Sequence, residues 1–110
     1  MEAHEIPDVD QRRRERGRLY EEFIRRDNMS LGLYVLPAGA ADPQQPHAED
    51  EAYVVLRGRG RIRVGDEDRE VGPGSVVFVP KRVEHRFHSI TEELAVVVCF
   101  APAETTGAPA

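Results

Sequence analysis

The chain has 110 residues, a formal net charge of -5 and a single cysteine. This length suits one domain with a modest core, because two domains would each have too little apolar surface to bury. The acidic balance argues against a nucleic-acid partner, since binding phosphates requires a basic face. No apolar run is long enough to cross a bilayer, and the N-terminus lacks a signal-peptide pattern. We therefore expect a cytoplasmic protein with no membrane partner.

The composition predicts one folded domain between two tails. Residues 1–11 show no hydrophobic periodicity, and the basic run that follows is typical of a solvated surface. Residues 103–110 are small or polar and include glycine and proline, a composition typical of loose chain ends. These patterns predict an N-terminal tail over residues 1–17, a domain over residues 18–102 and a disordered C-terminal tail over residues 103–110.

The first predicted element is a short helix within residues 12–28, where the helical and strand patterns compete. Leu19 and Phe23 have helical spacing, and Glu22 precedes Arg26 by four residues, as in a helical ion pair. These spacings favour the helix.

After this segment the pattern is that of β-strands. The stretches MSLGLYVL, EAYVVL and RIRV alternate along the chain with period two, and glycine and proline clusters separate them. Because no second helical segment intervenes, the sequence predicts an all-β fold, an antiparallel sandwich or barrel. Cys99 lies in the apolar stretch AVVVCF and is expected to be an inert buried thiol.

Two stretches resemble the paired motifs of the cupin family. The first, GAADPQQPHAEDEAYVVLRG, has Gln45 where the family has its first histidine, then His47 as the second histidine, Glu51, and Gly58 as the closing glycine. The resemblance covers most of the chain, from about residue 29 to residue 102.

The second stretch, GSVVFVPKRVEHRFHS, continues the resemblance in register. It has His85 at the histidine position, but Arg82 replaces a glycine and Ser89 replaces an asparagine. The resemblance implies a small single-domain cupin, a jelly-roll β-barrel preceded by a short helix or extension.

The same resemblance implies one divalent transition metal inside the barrel, with Fe, Mn, Ni and Zn as the candidates. His47, Glu51 and His85 are its expected ligands, and either Gln45 or water fills the position of the missing histidine. The residue types agree, because imidazole and carboxylate groups suit these metals. His47 and Glu51 also share strand parity and would face the same interior. Glu51 and Tyr53 are the candidate catalytic residues.

Simpler explanations exist for several of these residues. Glu51 could pair with Arg57 or Arg63 inside the barrel, and the histidines could be ordinary hydrogen-bonded side chains. His88 differs in parity from His85, so we expect it on the outer face. Glu49 and Asp50 are expected to be solvated at the entrance of the strand.

Three functions agree with this pattern. The favoured one is a metal-dependent enzyme acting on a small molecule, by dioxygenase, isomerase, lyase or cyclase chemistry. The first alternative is a non-catalytic small-ligand-binding or sensor cupin, and the second is a structural partner whose site has decayed. We also expect a homodimer, because apolar residues occur on both faces of AVVVCF.

Overall fold

The computed structural model describes residues 1–105, and most of them lie in β-strands. The elements in chain order are α1 (Ile6–Glu15), β1 (Tyr20–Arg26), β2 (Met29–Leu36), β3 (Asp50–Val64), β4 (Glu67–Val71), β5 (Val76–Val79) and β6 (His85–Ala101). Within residues 1–105, no helix has the length and hydrophobicity needed to cross a bilayer.

The six strands form one antiparallel sheet in the order β1-β2-β6-β3-β4, and β5 pairs with the first part of β3. The two longest strands, β3 with 15 residues and β6 with 17, pair along most of their length. Each therefore reaches from one end of the domain to the other. This arrangement confirms the prediction of an all-β fold.

A bend in β3 lets the sheet curl around its core. The pairing of β3 with β6 shifts register at three places between Val55 and Arg61. Gly58 lies there with a φ of 92°, and an added Cβ would overlap the carbonyl oxygen of Glu93. Only glycine suits this position, because it tolerates both the left-handed backbone and the close approach.

The concave side of the curled sheet holds the main hydrophobic core. In β3, the side chains of Tyr53 and Val55 are buried, whereas those of Val54 and Leu56 point outward and are partly exposed. This alternation is the one predicted from the sequence. The other strands contribute buried residues to the same core, including Tyr34, Leu36, Ile62, Phe87, Leu94, Val96, Val98 and Phe100.

The prediction of a helix within residues 12–28 is wrong for most of that segment. Tyr20–Arg26 forms strand β1, paired with β2, and the helix lies earlier, at Ile6–Glu15, inside the predicted tail. Pairing explains the strand, because it satisfies the backbone groups and buries the ring of Tyr20 against that of Tyr34. The helix buries Val9 against the convex side of β2 and β6.

The predicted C-terminal tail also needs correction at its start. Ala103 and Glu104 are buried rather than loose. The backbone N–H of Glu104 donates to Oγ of Ser30 over 3.0 Å, so the chain is fastened to β2 after it leaves β6. Residues 106–110 of the predicted tail lie outside the described residues.

Candidate metal centre

Three ionisable side chains meet at one end of the core. His47, Glu51 and His85 each offer a ligand atom, and these atoms all lie within 4.8 Å of one another. The three residues are only 5%, 2% and 4% exposed, respectively. Burying a carboxylate and two imidazoles together is costly unless they are paired or bind a common ion. The structure thus brings together the trio predicted from the sequence.

Each member of the trio is positioned by a different local structure. Glu51 is the second residue of β3 and points inward, and His85 is the first residue of β6. The sequence analysis took the direction of His47 from strand parity. His47 precedes β3, however, so parity does not set its direction. Its loop is held instead by a 2.7 Å hydrogen bond from the backbone N–H of Arg82 to its carbonyl oxygen. The ring of His47 packs edge-on against Phe100.

The orientation of His85 is fixed by its two ring nitrogens. Nδ1 donates to the carbonyl oxygen of Val83 over 2.8 Å, which leaves Nε2 directed into the site, 2.7 Å from Oε1 of Glu51. This pair is close, yet its geometry does not meet that of a directed hydrogen bond. Among residues 1–105, neither Nε2 of His85 nor either carboxylate oxygen of Glu51 has a hydrogen-bond partner of good geometry. Buried polar atoms of this kind are suited to a metal ion.

Burial and charge act differently on the two histidines. Burial lowers the pKa of His47, which favours the neutral ring that a metal requires. Burial also opposes the charged form of His85, but the adjacent carboxylate of Glu51 outweighs it and raises the pKa of His85. A metal at the trio would therefore compete with a proton for His85.

Tyr53 borders the trio, as the sequence indicated. It is fully buried, its ring packs on Phe87, and burial together with the charge of Glu51 raises its pKa well above the usual value. Its hydroxyl donates to Oε1 of Gln44 over 2.7 Å, and Nε2 of Gln44 donates to Asp42 over 2.6 Å. Tyr53 is thus a protonated phenol held beside the candidate ligands.

Gln45, predicted as a metal ligand, is exposed, whereas the preceding residue Gln44 is buried. The conformation therefore gives no support to Gln45 as a ligand. Gln44 is a residue that sequence reasoning missed, because the motif places its histidine one position later. Asp42 was missed as well, although an aspartate in a proline-bearing loop is a recognisable turn signal; its Oδ1 accepts a hydrogen bond from the backbone N–H of Gln44.

Glu104 is a further buried acid that the sequence analysis did not find. Its Oε2 lies 3.3 Å from Nδ1 of His47, and the two side chains are each 5% exposed. Burial, followed by the charges of Glu49, Glu22 and Glu51, raises the pKa of Glu104 to about 8. The residue lies in a segment of small and polar residues, a composition that gave no sign of burial.

Glu49 was expected to be solvated but is only 3% exposed. Its Oε2 accepts a 2.6 Å hydrogen bond from the hydroxyl of Thr105, so it is buried beneath residues 103–105. Asp50 is partly exposed and accepts a hydrogen bond from the backbone N–H of Lys81.

The remaining candidates lie away from the trio. His88 points outward, as its strand parity predicted. Its Nε2 lies 2.7 Å from Asp68. Cys99 is partly buried, and burial raises the pKa of its thiol. Arg57 pairs with Glu93 at 3.1 Å, so it is engaged away from Glu51.

A polar cavity of about 360 Å³ adjoins the site. Its lining residues include Gln44, Gln45, His85, Arg63 and Arg86. A larger cavity of about 430 Å³, between β4 and β5, contains none of the trio. The chemistry favours the smaller cavity as the route to the site, because His85 lies in its wall.

The fold and the histidine–carboxylate site together define a cupin-type barrel. The family model for the cupin domain matches residues 32–101, and the chain belongs to this family. An uncharacterized protein of Streptomyces coelicolor is 47% identical over 105 residues, which cover 96% of this chain and all of that protein.

Solved structures show the same fold at lower identity. TT1209 from Thermus thermophilus aligns with a TM-score of 0.76 and 24% identity over 94% of this chain and 99% of that one. KdgF from Halomonas sp. aligns with a TM-score of 0.69 and 18% identity over 76% of each chain. The DMSP lyase DddQ from Ruegeria pomeroyi aligns with a TM-score of 0.65 and 26% identity, over 69% of this chain and 39% of its own. These matches confirm the predicted jelly-roll fold.

Proposed function

We propose that this chain is a metal-dependent enzyme that acts on a small polar molecule, with one divalent transition metal held by His47, Glu51 and His85. The observation that supports this most directly is the buried convergence of two imidazoles and one carboxylate within 4.8 Å. Three protein ligands of this kind leave coordination positions open for substrate or water. The match to DddQ, a DMSP lyase, supports an enzyme within this fold.

A bound metal would supply Lewis-acid chemistry, by polarising a substrate oxygen or lowering the pKa of a water molecule. The protein's own residues would do the rest. Tyr53 keeps its proton because of its raised pKa, and so can donate a hydrogen bond or a proton beside the site. The apolar rings of Phe87 and Phe100 exclude water from the inner side.

The cavity beside His85 supports a substrate that is small and polar. Its volume of about 360 Å³ suits a compact molecule. Arg63 and Arg86, which are paired in register across β3 and β6, are among its lining residues, and neither forms an ion pair within residues 1–105. Two arginines in the lining favour a substrate that bears a carboxylate or a similar anion.

The test is metal content followed by turnover. Protein purified without chelator or added metal, and again after dialysis against Fe(II), Mn(II), Ni(II) or Zn(II), should hold about one metal per chain. His47→Ala and His85→Ala should fall well below that level while remaining folded, and Glu51→Gln should lose less because an amide oxygen can still coordinate. His88→Ala is the matched control and should retain the metal.

Metal-loaded protein would then be screened against small carboxylates and phenols with an oxygen electrode and by product analysis. Oxygen uptake would assign dioxygenase chemistry, and a product without oxygen uptake would assign isomerase, lyase or cyclase chemistry. Wild-type protein that stays metal-free after dialysis would refute the proposal. Metal binding and ligand binding without any product would favour the sensor or binding-module alternative.

A further inference from the structure

A serine, a histidine and an aspartate are joined by hydrogen bonds on the outer face of the sheet, away from the trio. Nε2 of His88 lies 2.7 Å from Oδ2 of Asp68, and Nδ1 of His88 lies 3.0 Å from Oγ of Ser89. Asp68 belongs to β4, whereas His88 and Ser89 are neighbours in β6. The side chains of His88 and Asp68 are 29% and 26% exposed, so a small molecule in solvent can reach them. We call these three residues the outer triad.

The two partners of His88 determine which ring nitrogen carries the proton. Burial acts to raise the pKa of Asp68, but hydrogen bonds from Arg61 and His88 outweigh it and lower that pKa. Asp68 is therefore a carboxylate at neutral pH, and it can only accept hydrogen bonds. The nitrogen beside it, Nε2 of His88, must carry the N–H. In the neutral ring Nδ1 is then an acceptor, and the hydroxyl of Ser89 donates to it.

Asp68 is held in place by a second hydrogen bond. Nε of Arg61 donates to Oδ1 of Asp68 over 2.9 Å, so each carboxylate oxygen has its own partner. Rotation of the carboxylate would break one of the two contacts. A hydroxyl that donates to a histidine, which is oriented in turn by a third group, is the arrangement of an activated nucleophile.

The backbone of Ser89 is unusual as well. Its φ is 50°, a left-handed conformation that residues with a Cβ rarely adopt. Such strained residues cluster at active sites, and the serine of a nucleophile elbow is one example.

A cavity of about 300 Å³ adjoins the hydroxyl of the outer triad. Ser89, Arg59, Gly60, Arg61 and Thr91 are among its lining residues. Its volume suits a small molecule. Guanidinium groups in the lining favour a substrate whose reaction places negative charge on an oxygen, as attack on an ester carbonyl does.

We propose that Ser89 is a nucleophile, activated by His88 and Asp68, that takes an acyl group from a small carboxylic ester bound in this cavity. Oγ of Ser89 attacks the carbonyl carbon, and Nδ1 of His88 takes the hydroxyl proton. The ester C–O bond then breaks, and the alcohol leaves with that proton. Water, deprotonated by Nδ1, attacks the acyl group, which leaves as a carboxylic acid while the proton returns to Ser89. These steps use only protein groups and water, so the inference does not depend on the proposed function.

The test uses chelator-treated full-length protein, so that a metal at the trio cannot contribute to ester hydrolysis. The probe is p-nitrophenyl acetate at about pH 8, followed by release of nitrophenolate and by the mass of the peptide that contains Ser89 after an acid quench. Wild-type protein should carry an acetyl group on Ser89, and Ser89→Ala should not. His88→Ala should be acetylated about 100-fold more slowly, the usual effect of losing a general base.

Asp68 is a positioning residue, and Asp68→Asn tests that role. The amide N–H of the variant can donate to Nε2 of His88, which moves the ring proton to Nδ1 and removes the acceptor of the Ser89 hydroxyl. Acetylation should slow by about tenfold or more, because the wrong tautomer is then favoured. Nitrogen NMR should show the Nε2–H tautomer of His88 in wild type and a loss of that preference in Asp68→Asn.

Matched controls separate the outer triad from ordinary surface side chains. Ser75→Ala removes a serine in the turn before β5, and His4→Ala removes an exposed histidine that lies 2.8 Å from the carboxylate of Glu2. Both should be acetylated at Ser89 as wild type is, and circular dichroism would show that every variant is folded. Wild-type protein without an acetyl group on Ser89 would overturn the inference. Equal acetylation of wild type and His88→Ala would overturn it too, because the histidine would not be the base.

Discussion

The backbone N–H of Arg82 donates a 2.7 Å hydrogen bond to the carbonyl oxygen of His47, and so joins the loop before β6 to the loop before β3. Arg82 makes this bond from a left-handed backbone conformation, with a φ of 62°. A residue with a Cβ pays about 1–2 kcal/mol for that conformation. The loops that hold the candidate metal site therefore include a strained residue.

The first prediction follows from this strain. Arg82→Gly should raise the free energy of unfolding by about 0.5–1 kcal/mol, because glycine removes the steric cost but adds backbone entropy to the unfolded chain. Urea unfolding of chelator-treated protein measures this change in the free energy of unfolding. Lys81→Gly is the control, since Lys81 is not among the residues with positive φ, and it should lower stability. A fall in stability for Arg82→Gly would mean that the arginine side chain stabilises the loop.

A second prediction concerns the acceptor at the centre of the polar network beside the site. Asp42 accepts hydrogen bonds from the hydroxyl of Tyr34 over 2.6 Å, from the side chain of Gln44 over 2.6 Å and from the backbone N–H of Phe87 over 2.8 Å. Asp42→Ala leaves these donors without their acceptor and should cost about 2–4 kcal/mol of stability. Chemical unfolding would measure the loss.

Asp66→Ala, at an exposed turn, serves as the comparison and should change stability by less than about 0.5 kcal/mol. If Asp42→Ala were equally mild, water would be satisfying the donors and the network would not hold the loop.

Two departures from the second cupin motif show what sequence could and could not predict. Arg82 and Ser89 replace a glycine and an asparagine, and they are the two non-glycine residues with positive φ within residues 1–105. Glycine and asparagine are the residues that tolerate this conformation best. These two motif positions therefore correspond to a positive-φ backbone conformation. This chain has that conformation at both positions, although its side chains differ from those of the motif.

Two members of the trio, Glu51 and His85, were predictable for a related reason. Glu51 and His85 lie at the starts of two long paired strands, where alternation and register fix direction. Glu104 was not predictable, because its burial depends on its backbone hydrogen bonds to Ser30 and from Arg25, which are distant in sequence. The misassigned helix has a similar cause, since pairing with β2 overrode the helical spacing of Tyr20–Arg26.

A third prediction concerns the loss of metal in acid. The carboxylate of Glu51 raises the pKa of His85 despite burial, so protons compete for this ligand already above the ordinary histidine value of about 6.5. Apparent metal affinity should therefore fall as the pH decreases from 7.5 to 5.5, by up to about tenfold per pH unit for each proton taken up. Chelator competition at several pH values measures this change.

His88→Ala should give the same pH profile as wild type, because that histidine lies on the outer face beside Asp68. A metal affinity that is flat between pH 7.5 and 5.5 would contradict the assignment of histidines as ligands.

The last prediction concerns the homodimer expected from the sequence. The convex face of β5, β3 and β6 is apolar: Val54 is opposite Val76 on one side and Val97 on the other, and Phe78 lies next in β5. Val76 and Phe78 are 67% and 61% exposed. A cluster of large exposed apolar side chains is typical of a surface that pairs with another protein. We predict that two copies of the chain associate through this face, which would also cover Cys99.

Light scattering should show a dimer at micromolar concentration, and Val76→Glu and Phe78→Glu should each shift it toward monomer without loss of the fold. The control Thr91→Glu introduces the same charge on β6, away from Val76 and Phe78, and should remain dimeric. A wild-type monomer at 100 μM would contradict the prediction, and a dimer that survives both Val76→Glu and Phe78→Glu would place the interface on another surface.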